Sequence, residues 1–178
     1  MQITGGFLNS RKIKTAKFEN IKPTLSKTRQ GLFNALSALI DFEGKSFLDM
    51  FSGSAIMSFE AISRGFNPVY SIEKDRKSAA IIKSNFEDFG LDYNLFVGDA
   101  LKITPKLGVT FDVIFMDPPY QSSLYELSLS LIREKNILNQ GGIIVMEHPA
   151  SKLIDTESFE VVKIKDYADK RVTFVKLI

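Results

Sequence analysis

The chain has 178 residues, 44% of them apolar and 25% charged, and a formal net charge of +2. That is enough for one sizeable core and too little for two comfortable domains. No apolar run approaches the roughly 18 residues of a membrane span, and residues 1–7 lack the basic stretch and apolar segment of a secretory signal, so a cytoplasmic protein with no membrane partner is expected. The absence of cysteine excludes disulfides, thiolate metal ligands and a cysteine nucleophile; no metal site is expected, and nothing points to an obligate protein partner.

Charge is unevenly distributed. Residues 1–29 carry Arg11, Lys12, Lys14, Lys17, Lys22, Lys27 and Arg29 against Glu19 alone, a balance of +6 that leaves the rest of the chain at −4. A basic segment on a mildly acidic body suits a phosphate backbone, although a solvated basic face explains the charge equally well. Stretches 1–7 and 11–15 flank a turn at Asn9-Ser10, and Gly5-Gly6 permits close backbone approach or a bulge, so a small hairpin is predicted. Residues 21–24 read as extended because Pro23 disfavours helix at Lys22. Ser26 can then cap a helix whose apolar positions Leu32, Phe33, Leu36, Leu39 and Ile40 share one face. This extension, residues 1–43, precedes a main domain over 44–178.

From Lys45 onward apolar strands alternate with helical stretches, the pattern of a parallel sheet with crossover helices. Strands are predicted at 46–51, 69–72, 93–97, 111–116 and 142–147, helices at 54–64, 76–89 and 123–135, and a weaker helix at 99–107. Residues 159–165 and 171–178 alternate in polarity around 166–170, a closing antiparallel hairpin. The fold class is therefore α/β: a doubly wound, Rossmann-like, seven-stranded, mostly parallel sheet with a C-terminal hairpin and a small N-terminal hairpin and helix extension.

Ligands of such sheets bind beyond the carboxyl ends of the strands. The first strand leads into Asp49-Met50-Phe51-Ser52-Gly53-Ser54-Ala55, where Gly53 admits close approach of a nucleoside and Asp49 can bind an amino group. After the second come Glu73 and Lys74, an acid about 20 residues beyond a glycine turn, where a ribose hydroxyl pair is held. The third leads to Asp99-Ala100, a carboxylate able to accept from an adenine amine. Each acid alone is as well explained as a helix cap; in this order they describe a nucleoside pocket.

Asp117-Pro118-Pro119-Tyr120, after the apolar fourth strand, is the sharpest signal. An exocyclic base amine is a poor nucleophile because its lone pair is delocalised into the ring. The Asp117 carboxylate and the Pro118 carbonyl, on a backbone stiffened by two prolines, can accept its hydrogens and expose that lone pair. Tyr120 offers a face on which an extruded base can stack. A rigid turn with a capping aspartate is the plainer alternative.

Segments 49–61, 72–75, 98–100 and 117–120 resemble the successive motifs of class I S-adenosylmethionine-dependent methyltransferases. Gly5-Gly6, Arg11-Lys12, Lys22-Pro23-Thr24 and the run Lys27-Thr28-Arg29-Gln30-Gly31-Leu32-Phe33-Asn34 resemble the RsmD family of small-subunit ribosomal RNA guanine-N2 methyltransferases. The likeness spans essentially the whole chain. It implies S-adenosylmethionine as cofactor, with Asp49 and Gly53 at its methionine end, Glu73 at the ribose, Asp99 and Ala100 at the adenine, and Phe51, Lys74 and Asp117 also among the cofactor-binding residues. Asp117, Pro118, Pro119 and Tyr120 would hold the target amine. It also implies a partner, the small ribosomal subunit or its 16S RNA, bound through Arg11, Lys12, Lys14, Lys22, Thr24, Lys27 and Arg29.

Departures from the family pattern are Ala55 and Ser58 at usual glycine or small positions, Lys22 for an arginine, and Ser26 and Gln30 at acidic positions. Lys22 keeps charge but loses a bidentate fork, and Ala55 could narrow the cofactor turn. Alternatives are an adenine-N6 or cytosine-N4 methyltransferase acting on DNA, a protein glutamine methyltransferase, a nicotinamide-dependent oxidoreductase, and a non-catalytic RNA-binding module. The DNA reading lacks room for a target-recognition domain; the oxidoreductase lacks the full glycine fingerprint. His148 reads as a strand-end histidine, and Phe33, Phe47, Phe59, Phe86, Phe111 and Phe115 as core. Lys163, Lys165, Lys170 and Arg171 are either RNA contacts or a charged sheet edge.

Overall fold

The computed structural model describes residues 1–15, 24–119 and 123–178, with the side chains of Thr24 and Leu25 excepted. Residues 21–23 of the extended piece predicted at 21–24, the side chain of Thr24, and Tyr120 therefore lie outside the described residues, while the backbone of Thr24 is helical and not extended.

Seven strands form one sheet in the order β3-β2-β1-β4-β5-β7-β6. They are β1 (Phe47–Asp49), β2 (Val69–Glu73), β3 (Asn94–Val97), β4 (Phe111–Met116), β5 (Leu138–Pro149), β6 (Phe159–Tyr167) and β7 (Lys170–Leu177). Strands β1 to β5 are mutually parallel, while β7 runs antiparallel between β5 and β6. The helices are α1 (Thr24–Ser37), α2 (Ile56–Ser63), α3 (Arg76–Phe89), α4 (Ala100–Ile103), with a 3-10 turn at Thr104–Lys106, and α5 (Leu124–Glu134).

Strand side chains alternate between two apolar layers because the pleat has a period of two. Phe47, Val113, Phe115, Ile143, Val145 and Phe174 face α1, α2 and α3, whereas Leu48, Ile114, Met116, Ile144, Met146 and Val175 face α4 and α5. The six phenylalanines expected in the core are all buried there. Helix α3 matches its predicted span because its ends are locally encoded: Asp75 accepts from Ser78 N at 2.7 Å, and Gly90 closes the other end in the left-handed region at φ 63°.

Several boundaries differ from the sequence reading, and two of them bear on the packing. Helix α1 begins at Thr24, not after a Ser26 cap, so Ser26 sits in the first turn, where its hydroxyl accepts from Arg29 Nη2 at 3.3 Å. β5 starts at Leu138, four residues early, because Leu138 pairs with Phe111 and a register shift then brings Ile143 opposite Val113. The predicted N-terminal hairpin pairs without regular strands: Gln2 and Lys12 form an antiparallel bridge, Ile3 N donates to Arg11 O at 2.9 Å and Ile13 N to Met1 O at 2.8 Å.

Docking against the helices holds residues 1–15 in addition to this pairing. Ile3, Leu8 and Ile13 are buried in the same cluster as Leu32, Phe33 and Leu36 of α1 and the apolar faces of α2 and α3. Phe7 N donates to Ser63 O at 2.9 Å, and Asn85 grips Lys14 through both its backbone N and O. Gly6 is required at this crossing, since a Cβ there would collide with the Ser63 carbonyl.

Candidate active site

The loops following β1 to β4 converge on a cavity of about 860 Å³ at the carboxyl ends of the strands, the position the doubly wound order dictates. Backbone bonds tie the loops together. Met50 N donates to Phe115 O at 3.0 Å, Ser52 N to Ile72 O at 2.9 Å, and Gly98 N to Glu73 O at 2.9 Å. Phe51, Gly53, Glu73, Lys74, Asp99, Ala100, Asp117, Pro118 and Pro119 all line the cavity. Met50, Ile72 and Gly98, from the motif segments, and Leu101 and Leu124, which carried no chemical signal in the sequence, are also in the wall.

Gly53 has φ +56° and open space where a Cβ would project, so it presents bare backbone to the cavity. Ala55 follows with φ 58° and ψ 21°, a left-handed conformation that the family's usual glycine adopts without strain. Its methyl is fully buried in the α2 and α3 cluster, so Ala55 strains the turn rather than narrowing the cavity.

Asp49 is fully buried and is not among the residues that line the cavity. Ser58 Oγ donates to its Oδ2 at 2.7 Å, and Ser71 Oγ lies 2.7 Å from the same hydroxyl. Since Ser58 commits its proton to Asp49, Ser71 must be the second donor, and the two hydroxyls form a relay aimed at the carboxylate. Ser58 is thus the side chain that holds Asp49. The other oxygen, Oδ1, is buried with no partner among the described residues. Burial pushes Asp49 up to about 7, the Ser58 bonds pull it down, and Glu73 adds to the rise.

The acids at the next two strand ends play double parts. Glu73 Oε1 accepts from Asp75 N at 2.7 Å. Asp99 caps α4 by accepting from Leu101 N at 3.0 Å, and its Oδ2 lies 4.0 Å from Lys74 Nζ. Asp117 is pushed up to about 7 by burial first and by Glu147 second, while Lys170 pulls it down and Asp49 pushes it up. Glu147, at the end of β5, is paired with Lys170 at 2.6 Å. Sequence reasoning missed both as parts of the site, because a partnership 23 residues apart leaves no local pattern. Pro118 is buried and Pro119 exposed at the rim.

Among the described residues, Glu73, Asp99 and Asp117 line the cavity against one cation, Lys74, a wall suited to cations and hydrogen-bond donors. Among the described residues no cluster of acids and histidines could hold a metal ion, and no helix is long and apolar enough to cross a membrane.

Of the expected RNA-contacting residues, Arg11, Lys12, Lys14 and Lys27 are exposed. Arg11 lies over the Phe89 ring at 4.3 Å, and Lys14 pairs with Asp88 at 2.6 Å. Arg29 must be reassigned: its side chain is only 6% exposed and is engaged by Glu60 Oε1 at 3.4 Å and the Gln2 carbonyl at 2.6 Å, so its guanidinium is not available to a phosphate. His148 lies inside β5, buried, with its ring between the Pro149 carbonyl and the Thr173 hydroxyl; burial lowers its pKa.

The family described as conserved hypothetical protein 95 matches residues 1–176. Ribosomal RNA small subunit methyltransferase D of Haemophilus influenzae is 32% identical over 172 residues, which cover 93% of this chain and 88% of that protein. The solved structure of protein HI0767 from Haemophilus influenzae superposes with a TM-score of 0.82 at 27% identity, covering 99% of this chain and 98% of that one. A third structure, SMU.776 complexed with SAH, shares the fold at 22% identity and a TM-score of 0.67, over 88% of this chain and 50% of that one. The sheet order with its inserted antiparallel β7 is the α/β methyltransferase fold, and the chain belongs to the RsmD family, the group described as conserved hypothetical protein 95.

Proposed function

We propose that this protein transfers a methyl group from S-adenosylmethionine to the exocyclic N2 of a guanine in small-subunit ribosomal RNA. The observation that carries the reading is Asp117-Pro118-Pro119 at the rim of an acid-walled nucleoside-sized cavity, in a chain whose relatives include ribosomal RNA small subunit methyltransferases.

The residues present fit this cofactor. Asp49, outside the cavity wall, carries a buried Oδ1 with no partner among the described residues, and a positive charge held in the cavity would offset part of its burial cost through space. Glu73 suits the ribose hydroxyls, Asp99 and Ala100 the adenine edge, and the bare Gly53 backbone close approach. S-adenosylmethionine supplies an electrophilic methyl on a positively charged sulfur.

The chain's own part is orientation. The Asp117 carboxylate and the Pro118 carbonyl accept the hydrogens of the amine and leave its lone pair directed at the methyl carbon; the two prolines keep these acceptors from relaxing. Tyr120 would stack on the extruded base. The exposed Arg11, Lys12, Lys14 and Lys27, with Lys22 and Thr24 from the sequence pattern, would follow the RNA backbone.

The test offers labelled S-adenosylmethionine with small ribosomal subunits, naked ribosomal RNA and duplex DNA in parallel, followed by nucleoside analysis. N2-methylguanosine on either RNA substrate is the expected product; label on DNA alone overturns the substrate. Asp117→Ala should lower the rate at least about 100-fold, and an unchanged rate would remove Asp117 from the chemistry.

A further inference from the structure

Strands β4, β5 and β7 lie side by side at the cavity rim. Met116 and Met146 are register partners in parallel β4 and β5, so Asp117 and Glu147, one residue further along each strand, are neighbours. In antiparallel β7, Lys170 stands opposite Pro149, two residues beyond Glu147. Its ammonium folds back to Glu147, with Nζ 2.6 Å from Oε1 and side-chain exposures of 17% and 8%. Tyr125 Oη fixes the same spot by donating to the Glu147 carbonyl at 2.6 Å.

Charged groups reach this cluster from four elements. Asp117 is faced by Glu147 from β5, Lys170 from β7 and Asp49 from β1. Glu147 is faced by Lys170 and, from α1, by Arg29. A buried ion pair is a poor way to hold strand ends together, since desolvation offsets most of its attraction and an apolar pair would serve as well. Its position beside the one carboxylate that meets the target amine supplies a different reason for it.

We infer that Lys170, acting through Glu147, is a positioning residue for methyl transfer: the pair holds the Asp117 carboxylate ready to accept the amine's hydrogen bond before transfer and its released proton afterwards. This rests on the methyl-transfer reading above. In the transfer the nitrogen lone pair forms the N–C bond as the C–S bond breaks, and sulfur keeps that electron pair. The nitrogen is then cationic; its N–H bond breaks, the proton goes to Asp117, and from there to water. A carboxyl near 7, as burial and Glu147 make Asp117, both takes and releases a proton at neutral pH. Glu147 and Lys170 act in opposite directions on it, so their removal has opposite consequences.

Lys170→Met leaves Asp117 and Glu147 as adjacent carboxylates without their cation. The acid limb of the kcat profile then moves up by about one pH unit, with about a fivefold loss of rate at pH 7. Glu147→Gln, nearly isosteric, removes the like charge and moves the limb down; Lys170→Arg restores the wild-type profile. A role confined to packing would lower rate or stability evenly across pH without moving the limb. The second readout needs no turnover: the 13C carboxyl resonance of Asp117, assigned by its loss in Asp117→Asn, is titrated in the cofactor-free protein and its midpoint moves in the same two directions. Active wild-type enzyme with an unmoved limb and midpoint in both variants overturns the inference. Wild-type enzyme that methylates no RNA overturns the proposed function instead, and the carboxyl titration still decides whether Lys170 and Glu147 govern Asp117.

Discussion

Glu60 offers the sharpest test of how the N-terminal segment is held. Its carboxylate is fully buried in α2 and accepts from Thr4 N at 2.7 Å, Thr4 Oγ1 at 2.8 Å, Arg29 Nε at 3.4 Å and Arg64 Nε at 3.2 Å. Arg29 and Arg64 are 6% and 14% exposed, and Arg64 also lies 4.8 Å from the Phe33 ring centroid. Glu60→Gln preserves shape and some hydrogen bonds but leaves two largely buried guanidinium groups without their counter-charge. Breaking a buried pair in this way costs about 3–5 kcal/mol, a large share of the roughly 5–15 kcal/mol that stabilises a typical domain. For a chain of this length the melting temperature should fall by about 10 °C. Urea unfolding with an unchanged m-value would establish that stability itself has moved. The exposed i,i+4 pair Lys83–Glu87, at 3.8 Å, is the control; Glu87→Gln should cost at most about 0.5 kcal/mol. If Glu60→Gln cost no more than that control, the buried network would not be what docks residues 1–15, and Arg29 would again be eligible as an RNA contact.

Two further outcomes follow from the same geometry. Ala55→Gly relieves about 1–2 kcal/mol of left-handed strain but loses a buried methyl worth about 0.8 kcal/mol and incurs glycine's added chain entropy of about 0.5–1 kcal/mol; stability should therefore change by less than about 1 kcal/mol, and S-adenosylmethionine affinity by calorimetry should not change. A tenfold gain in affinity would mean that the Ala55 methyl obstructs the cofactor after all. Neutralising Arg11, Lys12 and Lys14 together should weaken RNA binding and flatten its salt dependence, by up to about 0.7–0.9 in logarithmic slope for each phosphate left unneutralised, while leaving cofactor affinity intact; an unchanged slope would show that these residues do not touch phosphate.

The elements legible in the sequence are those whose cause is local. Helix α3 declares itself by an apolar stripe between a capping Asp75 and a left-handed Gly90, all within one stretch of chain. β4 is recognisable as an apolar run buried on both faces. The glycine turn and the acids after β1 to β4 could be ordered along the chain because a parallel sheet brings every strand's carboxyl end to the same side, so succession in sequence became adjacency in space.

What escaped the sequence was set by partners far away in the chain. Residues 138–141 fall outside the predicted elements, yet Leu138 enters β5 because Phe111 stands across from it. Arg11 and Arg29 looked alike as basic residues of one segment; only the fold puts the first on the surface and the second against Glu60, 31 residues further on. Ser58 looked like a departure from a small-residue position until the close approach of β1, α2 and β2 placed it between Asp49 and Ser71. The sequence by itself determined the order of strands and helices and the chemical groups at the strand ends, because hydrophobic periodicity and turn chemistry act between near neighbours. Tertiary structure decided which charges are buried, which are paired and which carboxylate carries a shifted pKa, because desolvation and Coulomb interactions depend on distance through space and not along the chain.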